Sequence, residues 1–264
     1  MSLIIDKTNW RMKFLFLIIL VITTKNTILG IANSKNEESP LYYLARAPKI
    51  HSEHPPVLIL LHGVGSNEHD LFSFADQLPD KFLVISARAP HTVARDSYAW
   101  YQVDLSKGKP VFSEEQEEKS KKIILQFISY LKAKYSINEQ EIYLCGFSQG
   151  AIMSYVVALT NPDKIKGIAA MSGRILEEVR PFVAPNEKLQ HLNIFISHGI
   201  NDGVLQVHYA REAKAFLNQL NLNPAYKEYP AGHTINNEMF HDLVNWLETQ
   251  NNRIPFNFKK ASGI

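Results

Sequence analysis

The chain has 264 residues, of which 45% are hydrophobic and 20% charged, with a formal net charge of +2. That is apolar material enough for one large α/β domain or two small ones, and it rules out a chain kept unfolded by charge. Residues 1–32 carry Lys7, Arg11, Lys13 and Lys25 against Asp6, which leaves −1 on the remainder and no basic footprint for nucleic acid.

In chain order, Arg11-Met12-Lys13 precedes an apolar run over 14–22, and small residues stand at Gly30 and Ala32. A basic segment, a short apolar core and a small-residue end predict a signal peptide over 1–32 and an exported, periplasmic or secreted protein. The run is shorter than the ~20 residues of a membrane span, so no stable span is expected in the mature chain. Polar residues 33–40 read as a linker, 41–254 as one domain and 255–264 as a C-terminal tail.

Within that domain, 41–45 predicts an edge strand. Pro55-Pro56 stops the chain before Val57-Leu58-Ile59-Leu60-Leu61, a continuous apolar strand. A loop at His62-Gly63-Val64-Gly65 leads to a helix over 70–78, and 82–85 is another buried strand. The stretch 87–112 shows no periodicity, and a loop of that length commonly shapes a site. Ser113-Glu114-Glu115-Gln116 opens a helix to about 134, with Ile123, Leu125, Phe127, Ile128 and Leu131 as its expected buried stripe. Further strands are expected over 142–145, 167–171, 192–197 and 225–229, with helices over 151–159, 206–220 and 237–250. Strands alternating with helices imply a mostly parallel central sheet covered by helices on both faces, a three-layer α/β architecture.

Gly146-Phe147-Ser148-Gln149-Gly150 sits between the 142–145 strand and the helix that follows. A serine at the apex of a strand–turn–helix is the context of a nucleophile elbow in the α/β-hydrolase fold. A serine needs a base, and the base needs a carboxylate that holds its tautomer. In open α/β sheets such groups gather in loops at the carboxyl ends of strands. Asp202, after the 192–197 strand, and His233, after the 225–229 strand, meet that condition. Asp163 follows a helix, and His208 and His241 fall within helices. The catalytic expectation is therefore Ser148, His233 and Asp202. The Gln149 and Val64 amides are the expected oxyanion donors, and His62 is expected to support its loop. Trp100 and Tyr101 are expected either to line the substrate pocket or to pack beneath a loop. The chemistry calls for no metal and no cofactor: His51-x-x-His54 and Glu68-His69-Asp70 lack a zinc ligand set. Cys145 is the single cysteine, so no intrachain disulfide forms, and its strand makes it a buried hydrophobe.

Six blocks stand in the order seen in the phospholipase/carboxylesterase family, which the sequence resembles over roughly 57–247. They are His62-Gly63-Val64-Gly65-Ser66-Asn67-Glu68, Ala87-Arg88-Ala89-Pro90, Tyr98-Ala99-Trp100-Tyr101, Gly146-Phe147-Ser148-Gln149-Gly150, His198-Gly199-Ile200-Asn201-Asp202 and Gly232-His233. The family includes the acyl-protein thioesterases. The resemblance implies a compact α/β-hydrolase without a large lid, acting on carboxylic esters, lysophospholipids or acyl thioesters. The expected partner is a small ester or lysophospholipid substrate, and the sequence leaves monomer and homodimer both open. Two departures stand out: Gly203 replaces the proline many relatives carry after the acid, and the expected export signal is unlike cytosolic acyl-protein thioesterases.

Three rivals are weaker. A dinucleotide site at Gly63-x-Gly65 has Glu68 where a third glycine belongs, and a carboxylate repels phosphate. A non-catalytic binding protein on the same scaffold would have lost members of the triad. A dienelactone hydrolase usually places cysteine where Ser148 stands.

Overall fold

The uninterrupted apolar runs become the centre of a sheet because both faces of each strand need cover. The structure, a computed structural model, describes residues 38–104 and 111–250. The segment expected as an export signal, most of the linker and the expected tail lie outside the described residues.

Eleven strands and six α-helices are formed among the described residues. The main sheet holds seven strands in the order β1-β3-β2-β8-β9-β10-β11. These are β1 (Tyr43–Arg46), β2 (Val57–Leu61), β3 (Leu83–Ala87), β8 (Ile142–Phe147), β9 (Gly167–Met171), β10 (Asn193–Gly199) and β11 (Ala225–Tyr229). Only β1 runs antiparallel, against β3; every other neighbouring pair is parallel.

Alternation along β2 divides the core. Val57, Ile59 and Leu61 face one apolar layer, while Leu58 and Leu60 face the other. The first layer is covered by α2 (Glu114–Lys134), α3 (Gln149–Thr160) and α5 (His208–Gln219). The second is covered by the short α1 (His69–Phe72) and by α6 (Asn237–Gln250), which inserts Met239, Leu243, Trp246 and Leu247. A further short helix, α4 (Asn186–Leu189), precedes β10. This is the expected three-layer arrangement. Each fully buried aliphatic side chain contributes about 1.5–3 kcal/mol relative to exposure, so the five buried residues of β2 alone anchor the middle of the sheet.

Four local expectations are corrected. The 70–78 helix is two pieces, α1 and a 3₁₀ turn at Ala75–Gln77. The irregular stretch 87–112 contains two small antiparallel pairs. These are β4 (His91–Ala94) with β5 (Ser97–Ala99), and β6 (Val103–Asp104) with β7 (Val111–Phe112). The buried stripe of α2 runs through Glu117, Ser120, Ile124, Phe127, Ile128 and Leu131, while Ile123 and Leu125 are only partly covered. Spacings of three and four keep one face inward; Ile124, not its neighbours, continues that face from Ser120. Finally, β10 runs two residues further than expected, through His198 and Gly199.

The chain winds from β2 outward to β3 and returns to place β8 on the other side of β2. At such a reversal the loops leaving adjacent strands diverge and open a crevice at their carboxyl ends. The two loops concerned are those beginning at His62 and at Ser148.

Candidate active site

The turn from β8 into α3 brings backbones into van der Waals contact. A Cβ on Gly146 would stand 2.2 Å from the Gly150 carbonyl oxygen, and one on Gly150 only 1.9 Å from that of Leu61. Glycine is the residue that fits both positions. Between them Ser148 is held at φ 52° and ψ −116°, a backbone state that L-residues adopt only under constraint. Its N–H donates to the Met171 carbonyl at 2.9 Å, which locks the turn to the end of β9.

Two other loops converge on that serine. His233, beyond the end of β11, places Nε2 2.9 Å from Ser148 Oγ and Nδ1 2.7 Å from Asp202 Oδ2. A carboxylate only accepts, so Nδ1 carries the proton and Nε2 presents its lone pair to the hydroxyl. Asp202 is buried, and its Oδ1 accepts from the Val204 and Leu205 amides at 2.9 and 2.8 Å. These contacts fix the carboxylate without neutralising it. His198, buried at the next-to-last position of β10, donates Nε2–H to the Leu205 carbonyl at 2.7 Å and lies 3.3 Å from Asp202 Oδ2. Burial pushes the His198 imidazole below its ordinary value, so it braces the acid loop as a neutral ring.

The loop after β2 supplies the opposite wall. Gly63 packs within 3.4 Å of Ser148 Cβ, judged from the position its own Cβ would take. Among the described residues, neither the Val64 nor the Gln149 amide donates to a carbonyl. His62 secures this loop. Its Nε2 accepts from the Ala89 amide at 3.0 Å, so its proton is on Nδ1, which donates to the Gly63 carbonyl at 2.7 Å. Burial lowers its basicity as well.

Trp100 and Tyr101 are in the core, with 0% and 3% exposure, and not on an open pocket wall. The reason is their hydrogen bonding. Trp100 Nε1–H donates to the His62 carbonyl at 3.0 Å. The Gln149 side chain bridges their backbone, accepting from Trp100 N at 2.8 Å and donating to the Tyr101 carbonyl at 2.7 Å. Ser120 Oγ donates to the Trp100 carbonyl. The pair packs under the serine turn as its support.

Sequence reasoning missed three of these residues. Gln149 entered only through its amide, although one polar side chain heading the apolar helix 151–159 is a visible anomaly. His198 carried no spacing signal. The buried Glu68, bonded through Oε2 to Arg88 Nε at 2.6 Å, carried no sign of that pairing in the sequence. Among the described residues no group of three or more His, Cys, Asp and Glu side chains could hold a metal ion, and no helix is long and apolar enough to cross a membrane.

A hydroxyl hydrogen-bonded to an imidazole that a buried carboxylate orients, beside two unspent amides, is equipped for acyl transfer. A family model described as phospholipase/carboxylesterase matches residues 47–251. The chain belongs to that family.

Members of the phospholipase/carboxylesterase family similar to it carry two kinds of name. A SOBER1-like carboxylesterase of Arabidopsis thaliana is 35% identical over 118 residues, covering 42% of this chain and 43% of that protein. Acyl-protein thioesterase 1 of Kluyveromyces lactis is 30% identical over 155 residues, 56% of this chain and 67% of that protein. The chain thus spans less than half the length of the plant carboxylesterases it matches. The solved carboxylesterase of Bacillus cereus superposes with a TM-score of 0.69 at 23% identity, covering 79% of this chain and 94% of that one. At that identity the superposition establishes the α/β-hydrolase fold.

Proposed function

We propose that this protein is a serine hydrolase that cleaves carboxylic esters through an acyl-enzyme on Ser148. The observation that carries the reading is the unbroken hydrogen-bonded chain from Asp202 through His233 to Ser148.

In the first half-reaction His233 Nε2 takes the hydroxyl proton as Ser148 Oγ attacks the carbonyl carbon. The Val64 and Gln149 amides receive the developing oxyanion, and the helix they adjoin adds the positive end of its dipole. His233 then gives the proton to the leaving alcohol, and the acyl group stays on Ser148. Water, deprotonated by the same ring, attacks next. The tetrahedral species collapses to free acid and restored serine, while Asp202 holds the imidazole in one tautomer throughout.

The acyl-protein thioesterase name among the relatives supports a second reading on the same triad, in which a thiol leaves in place of an alcohol. Rates on p-nitrophenyl esters of graded acyl length, a lysophospholipid and an acyl thioester separate the readings. Ester hydrolysis by the wild type, reduced on the order of 10⁴-fold or more in S148A, is the expected result. Thioester turnover without ester turnover would replace the first reading by the second, and equal rates in S148A and wild type would reject both.

A further inference from the structure

Six arginines lie among the described residues, and five are committed within the protein. Arg46 donates to a set of backbone carbonyls, including that of Phe82 at 3.0 Å. Arg88 pairs with Glu68, Arg95 with Asp96, Arg180 with Glu177 and Arg211 with Glu228. Among the described residues Arg174 has no ion-pair or hydrogen-bond partner, although its Nε is buried. A guanidinium N–H taken out of water with nothing to donate to is costly unless something is meant to meet it.

Arg174 also stands at the carboxyl edge of the sheet, beside the candidate site. It leaves β9 through Ser172, held at φ 50°, and Gly173, whose Cβ would come within 2.5 Å of Ala151 Cβ. That turn therefore packs on the first turn of α3, directly after the Met171 carbonyl that receives the Ser148 amide. The guanidinium carbon lies 5.3 Å from the ring centre of Tyr209, in the first turn of α5, the helix that follows the Asp202 loop. Its charge also acts on the buried Tyr101 hydroxyl. A ring beside a guanidinium can orient the planar group without using any of its N–H donors. Glu117 and Glu178 also act on Tyr101, yet neither pairs with Arg174.

We propose that Arg174 is a specificity-determining residue that binds an anionic oxygen group, carboxylate or phosphate, carried by the ester substrate. The inference rests on the esterase reading of Ser148. A half-buried guanidinium offers two parallel donors to such a group, and the discrimination it gives is expressed against a neutral ester of the same shape.

The test compares kcat/KM within two matched pairs, using wild type, R174Q and R174K. Monoethyl succinate against ethyl butyrate places a carboxylate on the acyl side. Butyryl-glycerol phosphate against butyryl-glycerol places a phosphate on the alcohol side. The wild type is expected to favour the anionic member of at least one pair by about 10- to 100-fold, and the pair that responds identifies the source of the anion. In R174Q that ratio falls to near unity, and R174K, with charge but no fork, falls between. Because the ratio is taken within one variant, general loss of activity cancels, and R174K supplies the comparison if R174Q fails to fold. No anionic preference in the wild type, or a preference surviving in R174Q, overturns the role of Arg174 alone. A wild type that hydrolyses none of the four esters and takes no fluorophosphonate label on Ser148 rejects the esterase reading and this proposal with it.

Discussion

The Gln149 side chain accepts from the Trp100 amide at 2.8 Å, so the residue whose own N–H faces the candidate oxyanion position is pinned to the segment beneath it. One amide side chain thereby ties the serine turn to the long connection after β3. In Q149A the backbone donor remains but loses that anchor, and two buried backbone groups lose their partner. The expected outcome is a kcat lowered about 10- to 100-fold with little change in KM, and a stability loss of about 2 kcal/mol. Steady-state kinetics and urea unfolding check both.

Gly150 is predicted to tolerate no side chain. With a Cβ 1.9 Å from the Leu61 carbonyl oxygen, the turn must move away from β2 in G150A. That displaces Ser148 from the loop carrying Val64 and strains the central strands, at about 3 kcal/mol or more. The thermal midpoint should fall and fluorophosphonate labelling should be lost. A variant with wild-type values of both would contradict the packing.

Glu117 predicts an unusual pH dependence. It is buried in α2 with Oε1 unpartnered, and burial pushes its carboxyl up to about 7 from an ordinary value of 4.5. Between those values the unfolded chain binds fewer protons than the folded one at this site, so its contribution makes stability fall as pH rises and reach its full penalty above about 7. E117Q removes the charge. It should match the wild type near pH 4.5 and exceed it by about 1–3 kcal/mol at pH 8. Urea unfolding at the two pH values measures the gap, and an equal gap at both would refute the assignment.

The Glu68–Arg88 pair carries the opposite sign. Arg88 lies 4.3 and 4.5 Å from the ring centres of Tyr42 and Tyr98 and holds the Glu68 carboxyl below its ordinary range. Its stabilisation is complete above the ordinary carboxylate range and is lost as pH falls through the lowered folded value. E68A leaves Arg88 without its partner and should cost about 2–4 kcal/mol at neutral pH. Its deficit against wild type should shrink as acid is added; calorimetry across pH 3–7 follows it.

What the sequence made legible depended on which signals are local. β9 and α6 are found at their expected limits because an apolar run and a helical periodicity end at clear breaks. Ser148, Asp202 and His233 are legible as candidates because each follows a recognisable strand, even though β8 and β10 run two residues past their expected ends. The residues that brace the triad and its loops are not. His198, Glu68 and the side chain of Gln149 act through partners 7, 20 and nearly 50 residues away, and no short motif encodes such pairings. Trp100 and Tyr101 looked equally suited to a pocket wall or to support; the indole bond to His62 is a tertiary contact that composition does not announce.

The most direct test is covalent labelling of the intact chain with a fluorophosphonate, followed by peptide mapping. One adduct is expected, on Ser148, absent in S148A and formed on the order of 10³-fold more slowly in H233A, where no imidazole stands ready to accept the hydroxyl proton. Labelling that maps to another residue, or that proceeds in H233A at the wild-type rate, would contradict it.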